Sequence, residues 1–212
     1  WYVSFVVESP DVPKIEIQSV VGVDLNSRYL AVLSTGEAIE NPKYLKKKEQ
    51  RLKKYQRSMS KKVSDSKNRN KSRIKVARQH QHIANCRKDF MHKVTTDIAR
   101  NHDFIAIEDL NVKSMQQWNG RMIQEANFGL FRTLITWKAN KFGKTLVVIG
   151  RFDPTSKVCF DCGQLLELTL KDRWIECSCG CSLHRDYNDA RNILEIGLHR
   201  AGMAQINACG DS

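Results

Sequence analysis

The sequence lacks any apolar stretch approaching the ~18 residues of a membrane span, and it carries no signal peptide. Both absences argue against a membrane partner and predict a cytoplasmic protein in a reducing setting. There is no internal repeat, so repeat arrays are excluded. Acids are scarce beside bases: Asp+Glu number 23 against Lys+Arg 35, for a formal net charge of +12 and a pI of ≈ 9.5. That balance favours polyphosphate partners and does not define a fold. The cysteines are not spread as a disulfide framework would be. Of Cys86, Cys159, Cys162, Cys177, Cys179, Cys181 and Cys209, five fall within residues 159–181, which suits a metal knuckle. An initiator Met is also missing. The chain opens Trp1-Tyr2-Val3-Ser4-Phe5 as if in mid-strand, and reads as the C-terminal part of a longer protein.

What is there fits one ordinary domain of 212 residues with a small inserted module. Residues 1–8 read as the last strand of something upstream, and residues 9–13 as a linker. Residues 17–24 form a Val-rich run of strand length, with residues 29–33 and 37–39 as hairpin partners. From Lys43 to Arg78 the chain carries sixteen Lys/Arg against Glu49 and Asp65. A helix is predicted over 44–59, a flexible Ser/Lys/Asn-rich tip over 60–72, and a returning helix striped with Ile83, Cys86, Phe90, Val94 and Ile98. This segment reads as a basic helical hairpin, either a solvated face or an arm that contacts nucleic acid. A buried strand follows at 104–107, ending on Glu108. A helix over 127–142 has Phe128, Leu130, Phe131, Leu134 and Trp137 as its candidate inner face, and Gly143 as its C-terminal stop. Then come a strand at 145–149, the cysteine module at 153–183 and a helix at 190–198 with Ile193, Leu194 and Leu198 inward. The order predicts an α/β layer architecture.

Three carboxylates stand out. Asp24 ends the run Val20-Val21-Gly22-Val23, Glu108 ends Phe104-Ile105-Ala106-Ile107, and Asp186 sits in His184-Arg185-Asp186-Tyr187-Asn188-Asp189. Each alone reads more simply as a turn or cap residue. Together they are specific, because paired Mg²⁺ or Mn²⁺ ions held by several carboxylates hydrolyse phosphodiesters. Asp109 should point away from Glu108 by strand alternation. Asp186 opens a helix and is placed to be both N-cap and metal ligand. Asp189 reads more simply as a favourable charge at a helix N-terminus than as a fourth acid. Cys159-x2-Cys162-Gly163 has the spacing of a zinc knuckle. Its partners are two of Cys177, Cys179 and Cys181, with His184 as an alternative, and four thiolates would close one structural Zn²⁺ site. Trp118 and Trp174 could stack bases, although packing in the core is the simpler reading of each.

The chain resembles the C-terminal half of the TnpB/OrfB transposon-associated proteins. The likeness is carried by Gly22-Val23-Asp24-Leu25-Asn26, Ile107-Glu108-Asp109-Leu110, Thr155 through Gly163, and Cys179-Gly180 through Ile193. These are RNA-guided DNA endonucleases related to the type V CRISPR effectors. The resemblance implies an RNase H-like (RuvC) mixed sheet with flanking helices, a basic helical insertion at 41–100 and a zinc ribbon at 153–183. Residues 1–13 would close an upstream wedge domain and its linker, 14–152 would form the first two nuclease parts, 184–200 the third, and 201–212 a tail. It implies Asp24, Glu108 and Asp186 as catalytic Mg²⁺ or Mn²⁺ ligands for two ions, and Cys159, Cys162, Cys177 and Cys179 as ligands of one Zn²⁺, with Cys181 as substitute. The partners implied are a DNA target, single-stranded at the cleft, and a guide RNA in the full-length protein. Two departures are visible: the second cysteine pair is C-x-C rather than C-x2-C, and Asp189 stands where the family usually has Ala. The competing readings are a non-cleaving nucleic-acid-binding regulator or transposition accessory of the same family, and a resolvase-type enzyme on branched or hybrid substrates. The latter generally lack a cysteine module between their second and third acids.

Overall fold

A computed structural model of the chain describes residues 3–203, apart from residues 9, 11, 27, 113, 116, 118, 119, 121–125, 170 and 171. Trp118 and Cys209 therefore lie outside the described residues. Five strands make one mixed sheet in the order β3-β2-β1-β4-β5. They are β1 Val20–Asp24, β2 Tyr29–Leu33, β3 Ala38–Glu40, β4 Phe104–Glu108 and β5 Thr145–Ile149. The first three form an antiparallel meander. The other two run parallel to β1. A second, two-stranded antiparallel sheet joins β6 Trp174–Glu176 to β7 Ser182–His184. Four helices complete the described elements: α1 Tyr44–Ser60, α2 Lys67–Asn101, α3 Phe128–Lys141 and α4 Arg185–Arg200.

The central strands read as unbroken apolar runs because helices cover both faces. Val21, Val23, Ile105 and Ile107 point toward Met91, Val94 and Ile98 of α2 and Phe128, Phe131 and Ile135 of α3. The alternate residues Phe104 and Ala106 pack on Ile193 and Leu198 of α4. The sheet is thus sandwiched, with α2 and α3 on one side and α4 on the other. At the opposite edge, Asp103 stitches the strand starts together. It accepts from Ser19 N at 3.0 Å, Ser19 Oγ at 2.9 Å and Lys144 Nζ at 2.8 Å. The lysine and these donors hold its carboxyl far below the usual range.

Several expectations change. The basic hairpin is tighter than the sequence suggests: helix resumes at Lys67, because Ser66 caps α2 by accepting from Arg69 N at 3.1 Å. Trp137 is 52% exposed rather than inward. The inner face of α3 instead spends a lysine: Lys138 is buried and donates to Thr95 Oγ1 at 2.8 Å and Thr96 Oγ1 at 2.6 Å, tying α3 to α2. Residues 3–8 belong to no strand in this structure. The final helix begins at Arg185, five residues before the start expected at 190, since its first turns are lined by polar residues. No helix among the described residues is long and apolar enough to cross a membrane.

Candidate functional site

β1 and β4 are parallel neighbours in register, with Gly22 opposite Ala106 and Val23 opposite Ile107. Asp24 and Glu108 are the next residue on each strand, so they end the two strands side by side, about 4.8 Å apart in the pairing direction. Alternation turns both toward the α4 face, since Val23 and Ile107 point to the other one. Asp109, one residue on, faces away and is held by Arg132 and by Arg151 Nη2, the latter at 2.7 Å.

The third element is α4, and two glycines decide where it lies. A Cβ on Gly22 would stand 2.1 Å from the Ala190 carbonyl oxygen and 2.8 Å from Leu194 Cβ. A Cβ on Gly197 would stand 2.6 Å from Ala106 Cβ. Both separations are impossible for real side chains, so α4 rests directly on β1 and β4 only because these positions are bare. That contact carries the first turns of α4 over the ends of the two strands. His184, not Asp186, is the N-cap: its Nδ1 accepts from Asp186 N at 3.3 Å. Asp186 is buried and its charge acts on Asp24. Asp189 is the fifth residue of α4, past the first turn where a helix N-terminus favours an acid. Its helix-charge role is therefore corrected. It is 7% exposed, as is Asp186, and its Oδ1 is buried without a hydrogen-bond partner.

Electrostatics report the same convergence. Burial pushes Asp24 up to about 8; the Asn26 hydrogen bond opposes this, and the charges of Asp189, Asp186 and Glu108 add to it. Burial pushes Glu108 up to about 7, with Asp189 its strongest charged neighbour. Burial lifts Asp189 to about 6 against the hydrogen bonds of Ser156 and Asn188 and the charge of Arg185. The outer acids differ. Asp153 is paired with Arg200 at 2.7 Å, and Asp109 with two arginines. No Lys or Arg among the described residues forms an ion pair with the four inner acids. Asp186 and Asp189 are buried and Asp24 and Glu108 half-buried. Carboxylates suit hard divalent cations, but among the described residues it is the cysteine set below, not these acids, whose ligand atoms all lie within 4.8 Å of one another.

The cysteine module packs against the same helix. The Sγ atoms of Cys159, Cys162, Cys177 and Cys179 all lie within 4.8 Å of one another. Cys159 and Cys179 are 3.8 Å apart, and Cys162 and Cys177 3.5 Å. A tetrahedron of thiolates at ~2.3 Å from one ion has edges of about 3.8 Å, so the set fits a closed tetrahedral metal site. Gly163 and Gly180 follow the two cysteine pairs with φ of 74° and 92°. In each knuckle the glycine N–H turns back on a cysteine carbonyl, Cys159 O at 2.9 Å and Cys177 O at 2.9 Å. Cys181 is outside the group of four; its carbonyl accepts from Cys177 N at 2.9 Å and closes the second knuckle. Burial keeps the Cys181 thiol up at about 11. Two asparagines of α4 clamp the module. Asn188 Nδ2 donates to Val158 O at 2.8 Å and its Oδ1 accepts from Phe160 N at 3.0 Å. Asn192 Nδ2 donates to Thr155 O and Val158 O, both at 2.7 Å. Sequence reasoning passed over both, although their spacing of four puts them on one helix face. Trp174 is 61% exposed on β6 with its ring edge-on to His184, which corrects the expectation of core packing.

Fold and site together define a mixed α/β protein whose central parallel strands end on acids, with a four-cysteine module docked on the helix that crosses them. The family profile described as probable transposase, OrfB_IS605, matches residues 4–119. The Cas12f1-like TNB domain profile matches residues 128–193. The chain belongs to the OrfB_IS605 family, that of the TnpB proteins. It is 40% identical over its whole length to a Streptomyces pristinaespiralis protein named "Putative RNA-guided DNA endonuclease", covering 52% of that protein. It is 33% identical to the Escherichia coli (strain K12) protein of the same description, InsQ, covering 56% of it. The chain thus spans about half the length of these curated relatives. A solved Cas12f1-sgRNA-target DNA complex shares the fold over 87% of this chain and 51% of that one, with a TM-score of 0.61 at 18% identity.

Proposed function

We propose that this chain is the nuclease segment of an RNA-guided DNA endonuclease, an RNase H-like (RuvC) core that hydrolyses phosphodiesters with two Mg²⁺ or Mn²⁺ ions. The observation that supports this reading is that Asp24 and Glu108 end neighbouring parallel strands while the buried Asp186, from a third segment, acts on Asp24. The strand order and the names of the relatives support it. Bound divalent ions would activate water and offset charge on the leaving oxygen. The chain's own residues fix the donors: strand ends hold Asp24 and Glu108, and the His184 cap frees Asp186 to join them. The four cysteines Cys159, Cys162, Cys177 and Cys179 hold one structural Zn²⁺, which leaves no open position for chemistry. In this reading residues 153–183 form the target-binding ribbon between the second and third parts of the nuclease. Exposed Trp174 is available there for base stacking.

The sixteen Lys/Arg of residues 43–78 neutralise nucleic-acid phosphates, with Lys53, Lys54, Arg57 and Lys61 lining one groove of the hairpin. Contacts of this kind are salt-sensitive and indifferent to sequence, so target choice falls to guide pairing in the full-length protein. The test is cleavage of labelled single-stranded DNA with Mg²⁺, Mn²⁺ or EDTA by this chain, and of guide-matched DNA by the full-length protein with its RNA. Metal-dependent cutting that Asp24→Ala abolishes is expected. Equal cutting by that variant overturns the assignment.

A further inference from the structure

We propose that Phe152 is a stacking platform for a base of the single-stranded DNA that enters the acid-tipped end of the sheet, with Arg132 and Arg151 beside it for the neighbouring phosphate. The inference deepens the nuclease reading and rests on it. Phe152 belongs to the turn that leaves β5. Ile149, the last residue of β5, pairs with Glu108, and Asp109 N donates to Ile149 O at 3.1 Å. The turn therefore opens at the end of the sheet where Asp24 and Glu108 finish their strands. The charge of Asp153, one residue beyond the ring, acts on Glu108.

Phe152 is 93% exposed, and beyond residue 8 no large apolar side chain among the described residues is more so. Looseness does not explain this, because the turn is braced on both sides of the ring. Gly150 N donates to Asp153 Oδ2 at 2.7 Å, and Asp153 N donates to Gly150 O at 3.2 Å. Arg200 of α4 donates to Asp153 Oδ1 at 2.9 Å, and Asn192 of the same helix donates to Thr155 O at 2.7 Å. A ring whose burial would be favourable is thus held outward by a fixed backbone. The cations are next to it. Arg132 and Arg151, both exposed, share one carboxylate, Asp109. Two guanidinium groups on one acid leave a positive charge over, which complements a phosphodiester. An aromatic face in water beside such a charge suits a nucleotide: every base has a π-face to stack, and its phosphate meets the arginines. An apolar protein surface would gain from the ring but lose by desolvating the arginines.

The test is binding of a labelled single-stranded DNA oligonucleotide to the zinc-loaded chain, without added Mg²⁺ or Mn²⁺ so that nothing is cut. Phe152→Ala is expected to bind about 5- to 150-fold more weakly, the loss of one stacked base. Its salt dependence should not change, because no charge is removed, and its melting should match that of the unaltered chain, because the ring is almost wholly exposed. Phe152→Trp is expected to restore binding, and its fluorescence to be quenched by the oligonucleotide beyond that of the unaltered chain. Arg151→Gln is expected to weaken binding and to lower the slope of log affinity against log salt by about 1. Unchanged DNA affinity in Phe152→Ala, or no rescue by Phe152→Trp, overturns the proposal. So does a loss seen with an RNA oligonucleotide and not with DNA, or a chain that self-associates through Phe152 and binds DNA equally with and without the ring. An unchanged salt slope in Arg151→Gln overturns the phosphate contact. In each of these cases the nuclease reading stands if Asp24→Ala still abolishes metal-dependent cutting; equal cutting by Asp24→Ala overturns that reading and this inference with it.

Discussion

Adding one methyl group at Gly22 should damage the cleft without touching a carboxylate. The new Cβ of Gly22→Ala would fall 2.1 Å from Ala190 O, 2.7 Å from Leu194 N and 2.8 Å from Leu194 Cβ. Two of those atoms are helix backbone, which cannot swing aside as a side-chain tip can. Ordinary contact begins near 3.5 Å, so α4 must back away from β1 by roughly 1 Å. Overpacking of this kind costs about 1–3 kcal/mol. For a chain of this size that lowers the melting temperature by roughly 2–12 °C. The same displacement moves Asp186 away from Asp24 and Glu108. A misplacement of about 1 Å at a reacting centre costs on the order of 10²-fold in rate. The assay is calorimetric melting together with metal-dependent cleavage by the full-length protein with its guide RNA. Gly129→Ala is the control: it is exposed at the second position of α3, nothing lies within 4 Å of its added Cβ, and no loss of melting temperature is expected. A Gly22→Ala protein with native melting and native cutting would refute the packing argument.

Other outcomes follow from the same structure. Asp24 and Glu108 are raised in the fold to about 8 and about 7, so the folded state binds more protons than the unfolded one between pH ~4 and ~8. Stability in EDTA should therefore fall as pH rises through that window, and saturating Mg²⁺ should flatten the curve; a melting temperature that climbs from pH 5 to 8 in EDTA would contradict this. Cys159→Ser removes the buried member of the four-thiol set, so zinc measured by mass spectrometry should drop and the chain should unfold at lower temperature. Asp103→Ala should cost about 2–4 kcal/mol in chemical denaturation, because it leaves Lys144 and the Ser19 donors unpaired at the strand starts. Its depressed carboxyl also means that its contribution disappears only as pH falls below the ordinary Asp range.

Much of the fold was legible because its central strands are unbroken apolar runs that stop on an acid. Asp24 and Glu108 announce themselves in this way, and parallel pairing then sets them side by side. Asp109 was readable by alternation alone. The position of α4 was not readable. It depends on Gly22 and Gly197, far apart in the chain, each bare so that the other's element can approach. Asp189 stands next to Ala190 in that contact, which its sequence context, that of a helix charge, does not reveal. Asp186 reads from sequence as both cap and metal ligand, because a short acid at a helix start is often a cap; in the structure a histidine ring caps the helix. Trp174 and Trp137 were misplaced for a common reason. Bulky aromatics predict burial on average, but β6 belongs to a sheet of two short strands with little core to offer, and α3 turns Trp137 outward.

If the proposed reading holds, the clamp of Asn188 and Asn192 would link two chemically different ions reciprocally. The cysteine module docks through Asn188 and Asn192 on the same helix that carries Asp186 and Asp189. If order in the knuckle at Thr155–Phe160 improves the seating of α4, then zinc occupancy tightens divalent-cation binding in the cleft by some factor. Linkage then requires that cleft occupancy tighten zinc by the same factor. A chain stripped of zinc would be not only less stable but also slow to arm, whereas one already charged with Mg²⁺ would resist chelators that reach the thiolates. Breaking the asparagine amides alone, with both ligand sets intact, would uncouple the two ions and make each site behave as though the other did not exist.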